Sequence, residues 1–452
     1  MPQPAQPAAA PSTAAQEPLL RREDTWAILL ALLLVAAGAL AFAGGASGLF
    51  RQMALAWPAW STDLAPLRAH LAAHPATPLL LGGLSLVVLT LADWALRGRP
   101  LRFAAGFTAL FVASLAVTAL GANTVLKRWQ LETPVVALLA GLAVGNLVRL
   151  PAWFTEALRT ELYVKIGIVL MGATLPFTLV VQAGPTAILQ ATIVTLTTFL
   201  TIHLAATRLF GLDPRFGATL GAGGSICGVS AAIAIGGAAR AEKHHVSMAI
   251  SLVVVWAVAM VLALPVLIRT LGIPPGPGGA WIGNSEFADA AGYAAAAALG
   301  DERAVKTFTL MKVIGRDMFV GVYALAVAFL SVTRWHPEAG AKRAGPGELW
   351  SRFPKFIAGF FVASLVVTAI LAALSPDEAR RFEADVIGPL KSGRNWAFTW
   401  TFLCIGFTTR FRELAHAGWR PAAAFTLGVA VNVPLGWWLS TVVFADHWLS
   451  IR

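Results

Sequence analysis

Small polar side chains stand among glycines between residues 217 and 237, where the chain reads GATLGAGGSICGVSAAIAIGG. The segment is apolar and long enough to cross a bilayer, but its glycines predict a break in the helix. A break leaves backbone N–H and C=O groups unpaired, which hydrocarbon tolerates only where they line a cavity or bind a ligand. We therefore predict a substrate site formed by Gly223, Gly224, Ser225, Cys227, Gly228 and Ser230.

This segment favours a negatively charged ligand. A half-helix that begins near Ser225 would direct its free N–H groups, and the positive end of its dipole, at the cavity. The alternative is that the glycines form a helix-packing face of the small-xxx-small kind.

A second candidate segment contains Asn284, Ser285, Glu286 and Asp289. Asn284 or Ser285 can cap a helix whose first turn carries the two acids, and capping by itself would explain these residues. The alternative is a second half-helix that faces the first across the cavity. Asn284 and Ser285 would then contact the substrate, while Glu286 and Asp289 bind a coupling proton or cation.

Three charged residues, Lys312, Arg316 and Asp317, interrupt a third apolar segment. Lys312 and Arg316 are four positions apart and so share one helix face. Because charges inside a membrane are costly, the two cations are functional by default, and they would attract an anion or pair with Glu286. The alternative for both, and for Lys165, is a place near the membrane interface from which the side chain reaches water.

The composition is that of an all-α polytopic membrane protein. Hydrophobic residues make up 57% of the chain and charged residues 13%, and the mean hydropathy is +0.71. The net charge of +11 is spread in short clusters between apolar spans, which indicates topology signals and no nucleic-acid binding. Cys227 and Cys404 lack metal-ligand spacing and no phosphate-binding loop is present, so we expect no metal, no cofactor and no enzymatic activity.

The chain divides into a tail and about thirteen membrane segments. Residues 1–24, rich in proline and alanine, are predicted to be disordered. A window of about 20 residues places the segments near 26–45, 77–96, 103–126, 134–149, 163–182, 186–208, 217–238, 246–268, 281–299, 307–333, 354–374, 395–412 and 419–444.

Lysines and arginines in short loops predict the orientation. The clusters around residues 97–102, 334–352 and 410–420 fall on one side, which we assign to the cytoplasm. The loop predicted at 183–185 is neutral and the loop predicted at 375–394 is charge-balanced. The N-terminus is then cytoplasmic and the C-terminus periplasmic.

An internal similarity predicts an inverted repeat. Residues 172–184 align without gaps on residues 406–418, and the two helices concerned would cross in opposite directions. Inverted repeats with broken helices are common in secondary transporters. We therefore predict three additional N-terminal helices in 25–130, a first repeat in 131–272 with a broken helix at 217–238, and a second repeat in 273–452 with a broken helix at 279–299.

The glycine-rich element from Gly223 to Ser230, with Ser225-Ile226-Cys227-Gly228 at its centre, resembles a bacterial family of uncharacterised integral membrane proteins that carries the label of sulfate exporters. Segments 165–172, 308–319 and 406–421 agree, and the resemblance covers about residues 133–444. That family is similar in architecture to the cation–proton antiporter and bile-acid sodium symporter superfamily. The resemblance implies two inverted repeats whose broken helices cross at the membrane centre.

These features predict a secondary active transporter of a small anion in the bacterial cytoplasmic membrane. The substrate would be sulfate, sulfite or an organic sulfonate or carboxylate, and H⁺ or Na⁺ would be the coupling ion. Two alternatives stay open, a cation–proton antiporter and a membrane sensor or complex subunit without transport activity. The expected partners are the substrate, the coupling ion and the lipid bilayer, and the added helices could form a homodimer interface.

Overall fold

The computed structural model describes residues 21–52, 54–128, 133–335, 355–409 and 418–451. Within these ranges the regular structure is helical apart from an isolated bridge between Trp60 and Asn123. The predicted tail up to residue 20 and residues 410–417 of the second repeat copy lie outside the described ranges.

Eight of the described helices are long and apolar enough to cross a membrane, which confirms the predicted all-α, multi-pass class. They are Glu23–Ala43, Ala76–Arg97, Pro100–Gly121, Phe177–Leu209, His244–Thr270, Glu302–Trp335, Lys355–Ala373 and Trp419–Val443. Each of the thirteen predicted segments lies on at least one described helix. The count of thirteen crossings and the inverted repeat stay predictions.

The N-terminal part forms nine helices over the described residues up to 173. In chain order these are α1 (Glu23–Ala43), α2 (Ser47–Arg51), α3 (Ala65–Ala73), α4 (Ala76–Arg97), α5 (Pro100–Gly121), α6 (Thr124–Arg128), α7 (Thr133–Leu147), α8 (Ala152–Thr155) and α9 (Thr160–Ala173).

The middle part contains the segments singled out from the sequence. Its helices are α10 (Phe177–Leu204), α11 (Pro214–Ser225), α12 (Val229–Ala239), α13 (Lys243–Thr270), α14 (Pro275–Ser285), α15 (Asp289–Ala298), α16 (Glu302–Thr309) and α17 (Phe319–Leu330). A π-helical stretch, Leu310–Arg316, joins α16 to α17.

The C-terminal part completes the fold with α18 (Lys355–Ala373), α19 (Pro376–Phe382), α20 (Gly388–Thr408), α21 (Trp419–Trp438) and α22 (Ala445–Ser450).

The first broken segment consists of two short helices that form a hairpin, and it does not continue as one crossing helix. A Cβ at Gly236 of α12 would lie 3.3 Å from Cγ2 of Thr219 in α11, and one at Gly223 would lie 3.6 Å from the Cβ of Ala232. In one straight helix Thr219 and Gly236 would be about 25 Å apart. The chain therefore reverses at residues 226–228, and α12 returns alongside α11.

The second broken segment also folds back. A Cβ at Gly278 of α14 would lie 3.5 Å from Cδ1 of Leu299, the residue that directly follows α15. A straight helix would separate them by about 32 Å. We call α11–α12 hairpin 1 and α14–α15 hairpin 2. If both segments are hairpins and not crossings, the number of crossings falls by two and stays odd. The predicted sides of the two chain termini are therefore unchanged.

Two predicted loops are also misplaced. The chain turns at residues 174–176, and α10 then continues through 183–185 with Pro185 inside it. Hydropathy is continuous over both stretches, so it could not show where the turn lies. The region 375–394 holds α19, a π-helical turn and the start of α20. A capping box between Ser375 and Glu378 begins α19.

The long helices pack in two groups, each mostly against its own members. The hairpin group contains α10 to α17, α21 and α22, and the flanking group contains α1, α4, α5, α7, α9, α18 and α20. Aromatic contacts join the groups: the rings of Tyr293 and Phe398 are stacked 3.9 Å apart, and those of Phe177 and Phe361 lie edge to face at 6.4 Å. The candidate site lies inside the hairpin group, beside this boundary.

Candidate functional site

The tips of the two hairpins touch each other. The first tip is Ile226 to Gly228, and Gly228 has φ 71° and ψ −114°, a conformation that favours glycine. The second tip is Glu286 to Ala288. A Cβ at Gly228 would overlap the carbonyl oxygen of Phe287, so glycine is also required for the approach of the two backbones.

Lys312 joins both tips to the π-helical stretch. Its ammonium Nζ donates to the carbonyl oxygen of Ile226 at 2.7 Å and to that of Glu286 at 3.4 Å. The same nitrogen lies 3.5 Å from a carboxylate oxygen of Asp289 and 3.8 Å from one of Asp317. The Lys312 side chain is fully buried, so the predicted alternative of an interfacial lysine is wrong for this residue.

Arg316 makes a second set of links to the same helix ends. Its Nε donates to the carbonyl oxygen of Ser225 at 3.0 Å. Its Nη1 donates to the carbonyl oxygens of Gly283, Asn284 and Glu286 at 2.9, 2.6 and 2.8 Å. Arg316 is also fully buried, which excludes the interfacial alternative here as well.

These contacts explain why two cations are stable at this depth. The last carbonyls of a helix have no partner within the helix and carry the negative end of its dipole. Lys312 and Arg316 satisfy such carbonyls at the ends of both α11 and α14. The prediction that a half-helix begins near Ser225 is wrong, because Ser225 is the last residue of α11 and α12 begins at Val229.

The capping interpretation of Asn284 and Ser285 is likewise wrong. Both residues end α14, and α15 begins at Asp289 with no side-chain cap. The Asn284 side chain instead donates to Ser440 Oγ of the π-helical turn after α21, at 2.9 Å. The backbone carbonyl of Asn284 also accepts from Asn432 of α21, at 3.3 Å.

Glu286 turns back onto its own hairpin tip. Its Oε1 accepts from the backbone N–H groups of Phe287 at 2.9 Å and Ala288 at 3.2 Å. Its Oε2 has no hydrogen-bond partner among the described residues. Glu286 is fully buried, and its carbonyl oxygen accepts from Lys312 and Arg316, so it lies at the site; its role as a coupling group stays a prediction.

Asp317 belongs to the site, although sequence reasoning noted it without giving it a role. The residue is fully buried, and neither carboxylate oxygen has a hydrogen-bond donor among the described residues. Its position beside Arg316 in an apolar segment was the signal that could have identified it, since an acid in such a segment is as costly as a base.

Several polar groups at the tips have no partner within the described part of the chain. They include the guanidinium Nη2 of Arg316 and the hydroxyl groups of Ser225 and Ser285. All three residues are fully buried. Buried polar groups are normally hydrogen-bonded, and unpaired ones mark a place for a water molecule, an ion or a ligand.

The glycines of hairpin 1 have different roles. A Cβ at Gly224 would lie 2.4 Å from Cδ1 of Ile202 and 3.1 Å from Cε2 of Phe425, which are both side-chain atoms of neighbouring helices. One at Gly223 would lie 2.9 Å from Val253. Both glycines therefore lie inside α11 as packing positions, the alternative that the sequence left open, while Gly228 forms the tip.

A cavity of about 290 Å³ reaches the tips from the boundary between the two groups. Cys227, Ser230 and Asp289 line it from the hairpins. Glu161 and Lys165 of α9 line it from the flanking group. Lys165 lies 2.8 Å from Asp24 and 3.6 Å from Glu161, so its charge is compensated at the cavity wall.

A second cavity, of about 580 Å³, lies at another part of the boundary. Its lining includes Tyr293, Lys391 and Asn395. The Tyr293 hydroxyl donates to Oδ1 of Asn395 at 2.7 Å, which links α15 to α20. The two groups of helices are thus separated by open volume on two parts of their contact surface.

One cluster of metal-ligating residues occurs among the described residues. Single ligand atoms of Glu242, His244 and His245, at the start of α13, lie within 4.8 Å of one another. The cluster lies beyond the end of α12, at the base of hairpin 1 and away from its tip, and is largely exposed.

The long apolar helices and the buried charged site define a helical multi-pass membrane protein. A family model described as Conserved hypothetical protein 698 matches residues 105–424. Over 348 residues the chain is 32% identical to a UPF0324 membrane protein of Nitratidesulfovibrio vulgaris, which covers 76% of this chain and 60% of that relative. The chain belongs to the UPF0324 family of membrane proteins.

Two further relatives agree with this assignment. A UPF0324 membrane protein of Rhodopirellula baltica is 32% identical over 374 residues, which is 80% of this chain and 68% of the relative. One of Nitrosomonas europaea is 28% identical over 453 residues, which is 88% of this chain and 91% of the relative. No solved structure matches the chain.

Proposed function

We propose that this protein is a secondary active transporter of small anions, driven by a proton or Na⁺ gradient. The observation that carries the proposal is a set of buried donors without a partner among the described residues, Nη2 of Arg316 and the hydroxyls of Ser225 at the end of α11 and Ser285 at the end of α14. A guanidinium with two hydroxyls suits a sulfate, sulfonate, sulfite or carboxylate group. Sulfate and sulfite are therefore the first substrates to test, followed by organic sulfonates and carboxylates.

The hairpins support a transport role. Non-helical backbone at membrane depth is tolerated where it is buried in protein or lines a cavity, and it is common at the binding sites of secondary transporters. Here both tips lie at one site, and the cavity that ends at Cys227 and Asp289 would provide a path to it.

The two groups of helices support alternating access. The hairpin group holds every predicted site residue, and it meets the flanking group across two cavities. Movement of one group against the other would expose the tips to either side in turn. Tyr293, stacked on Phe398, would be one contact that such a movement breaks.

The charges at the base of hairpin 1 support the predicted orientation in the bacterial cytoplasmic membrane. Arg208, Arg215 and Arg240 stand before, at the start of and after the hairpin. Because hairpin 1 returns to the side from which it entered, these charges share a side, which the positive-inside rule assigns to the cytoplasm. The N-terminus would then be cytoplasmic and the C-terminus periplasmic.

The carboxylates favour a second candidate, a cation–proton antiporter. Glu286, Asp289 and Asp317 all lie at the tips, and such an exchange needs intramembrane carboxylates. The two candidates differ in the ligand that stabilises the purified protein. An anion transporter responds to its anion, and an antiporter responds to its cation and to pH.

The experiment is thermal stabilisation of the detergent-purified protein by sulfate, sulfite, taurine, dicarboxylates and Na⁺, because a ligand of the folded state raises Tm by mass action. The double variant S225A/S285A should weaken binding of the stabilising anion at least tenfold, since a hydrogen bond to a charged group contributes about 1.5–3 kcal/mol. Ser251→Ala, at an exposed position of α13, is the matched control. Unchanged affinity in the double variant would place the anion elsewhere, and stabilisation by Na⁺ only would favour the antiporter.

A further inference from the structure

The hairpin tips hold an unequal number of buried charges. Lys312 and Arg316 supply two positive charges, and Glu286, Asp289 and Asp317 supply three carboxyl groups. Four of these residues are fully buried, and the Asp289 side chain is 14% exposed. If every group were ionised, the cluster would carry one net negative charge. A buried net charge is costly, and an ionisable group in such a place becomes neutral.

The hydrogen bonds show which carboxyl group is best suited to be neutral. An ionised carboxylate only accepts hydrogen bonds, so both of its oxygens need donors. A protonated carboxyl group needs fewer donors, because one of its oxygens carries a proton. Oε1 of Glu286 accepts two backbone N–H groups. Asp289 Oδ1 accepts no hydrogen bond from the described residues, but it lies 3.5 Å from the Lys312 ammonium, and Asp289 is the first residue of α15, where the helix dipole favours a negative charge.

Asp317 has neither hydrogen-bond donors among the described residues nor a position at the start of a helix. Its two oxygens accept no hydrogen bond from the described residues. The Lys312 ammonium lies 3.8 Å from Oδ1, and its shortest hydrogen bond is directed at the carbonyl oxygen of Ile226, at 2.7 Å. Asp317 also begins no helix, because the π-helical stretch precedes it directly.

We propose that Asp317 carries a proton in the resting protein and that this proton is required for anion binding. The first part stands on the contacts alone, and the second rests on the proposed function. With Asp317 protonated, the cluster is neutral and accepts a monovalent anion at one net negative charge. With Asp317 ionised, the same anion would bring the buried cluster to two net negative charges. Binding of a monovalent anion and loss of the proton therefore exclude each other. Sulfate would bring even the protonated cluster to two net negative charges, so this coupling applies to monovalent anions.

This linkage couples transport to a proton without any covalent step. The loaded protein holds the anion and the proton of Asp317, and the empty protein returns after releasing both. When the anion is monovalent, the cluster with anion and proton bound carries one net negative charge, and so does the empty cluster with Asp317 ionised. Among the described residues, the titratable groups that face Asp317 are Lys312 and Arg316 from the stretch before it, Asp289 from hairpin 2 and Cys227 from hairpin 1.

Infrared spectroscopy tests the first part without any substrate. A protonated carboxyl group has a C=O stretching band that an ionised one lacks. We expect such a band in the purified wild-type protein near neutral pH, shifted by ¹³C labelling of aspartate, absent in Asp317→Asn and retained in Asp289→Asn and Glu286→Gln. The isotope shift needs no variant and assigns the band to an aspartate; if Asp317→Asn fails to fold, retention of the shifted band in Asp289→Asn and in Asp93→Asn assigns it to Asp317. No buried carboxyl band, or a band that is lost in another variant, would overturn the assignment.

Binding measurements test the second part, with methanesulfonate as a monovalent probe that does not titrate in this range. In the wild type its affinity should fall about tenfold per pH unit once the proton is lost, whereas in Asp317→Asn it should be independent of pH. Asp377→Asn, at an exposed position, is the control and should behave like the wild type. Equal pH dependence in Asp317→Asn would overturn the linkage. A band with no binding of any anion would leave Asp317 protonated and contradict the proposed function instead.

Discussion

The ammonium group of Lys312 donates a 2.7 Å hydrogen bond to the carbonyl oxygen of Ile226, at the tip of a hairpin 86 residues earlier in the chain. The same group reaches Asp289 of the other hairpin at 3.5 Å. One cation thus holds both tips together. This relationship makes Lys312 a structural residue of the site as well as a source of positive charge for an anion.

Lys312→Met should strongly destabilise the protein. Removal of one partner of a buried charge pair costs about 3–5 kcal/mol, because the remaining charge has no compensation. Since Asp289 would be the uncompensated charge, adding Asp289→Asn should restore more of the lost Tm than adding Asp317→Asn does. The measurement is a Tm series on the purified single and double variants.

The control for this series is Lys391→Met, which removes a more exposed lysine that lies 3.4 Å from Glu302. It should change Tm little, because exposed pairs contribute about 0–1 kcal/mol. If the second substitution at Asp317 rescues Lys312→Met better than the one at Asp289, Asp317 is the ionised carboxylate.

Gly228→Ala should separate the hairpin tips. The residue has φ 71° with ψ −114°, and a Cβ would overlap the carbonyl oxygen of Phe287. Backbone strain of this kind costs about 1–3 kcal/mol before the overlap is counted. We expect a lower Tm and loss of anion-dependent stabilisation. Gly237→Ala on α12 is the matched control, because a Cβ there meets nothing within 4 Å. Equal behaviour of the two variants would contradict the contact between the tips.

Cysteine labelling in intact cells should place both ends of hairpin 1 on one side of the membrane. Arg208 precedes the hairpin and Glu242 follows it, and both are exposed. A membrane-impermeant maleimide should leave Arg208→Cys and Glu242→Cys unlabelled until the cells are opened. The native Cys227 and Cys404 are buried, so the wild-type chain gives the background.

The same experiment applies to hairpin 2 with the opposite outcome. Leu271 and Arg303 flank it and are exposed. Leu271→Cys and Arg303→Cys should both be labelled in intact cells. Labelling of only one residue in either pair would mean that the segment crosses the membrane.

Arg159→Met should destabilise the attachment of the N-terminal helices. Arg159 is buried and lies 2.5 Å from Asp93 of α4 and 2.6 Å from Glu23 of α1. Loss of the guanidinium leaves two acidic side chains without their partner, so we expect a marked fall in Tm. Arg99→Met, which removes an exposed arginine 3.0 Å from Glu156, is the control and should have a small effect. Equal shifts in Tm would show that the buried ion pairs of Arg159 stabilise the protein no more than the exposed pair of Arg99 does.

Several features of the site could be predicted from the sequence. Gly228 among apolar residues indicated a break, and charged residues in an apolar segment indicated Lys312 and Arg316. Both signals come from the cost of unpaired or charged groups in hydrocarbon, which depends on residue type and not on the path of the chain. The same cost of a charged group in hydrocarbon made Glu286 a candidate site residue.

The direction of the chain after each break could not be predicted. Residues 214–239 have the same length and hydropathy whether α12 continues α11 or returns beside it. The close approach of Gly236 to Thr219 is a contact between helices, and residue periodicity contains no information about it. Ser225 was assigned to the wrong half-helix for this reason, and Asn284 and Ser285 were assigned to the wrong helix end.

The sequence by itself determined that the chain is a multi-pass helical membrane protein that resembles the UPF0324 family, and its glycine breaks and intramembrane charges predicted the candidate site. Hydropathy, glycine content and charge are properties of residues and are therefore visible without a structure. Only the tertiary structure decided that both breaks are hairpin tips, that Lys312 and Arg316 satisfy the carbonyl ends of α11 and α14, and that Asp317 lacks a donor within the described part of the chain. Each of these depends on which distant segments lie within hydrogen-bonding distance, and the packing of the helices fixes that distance.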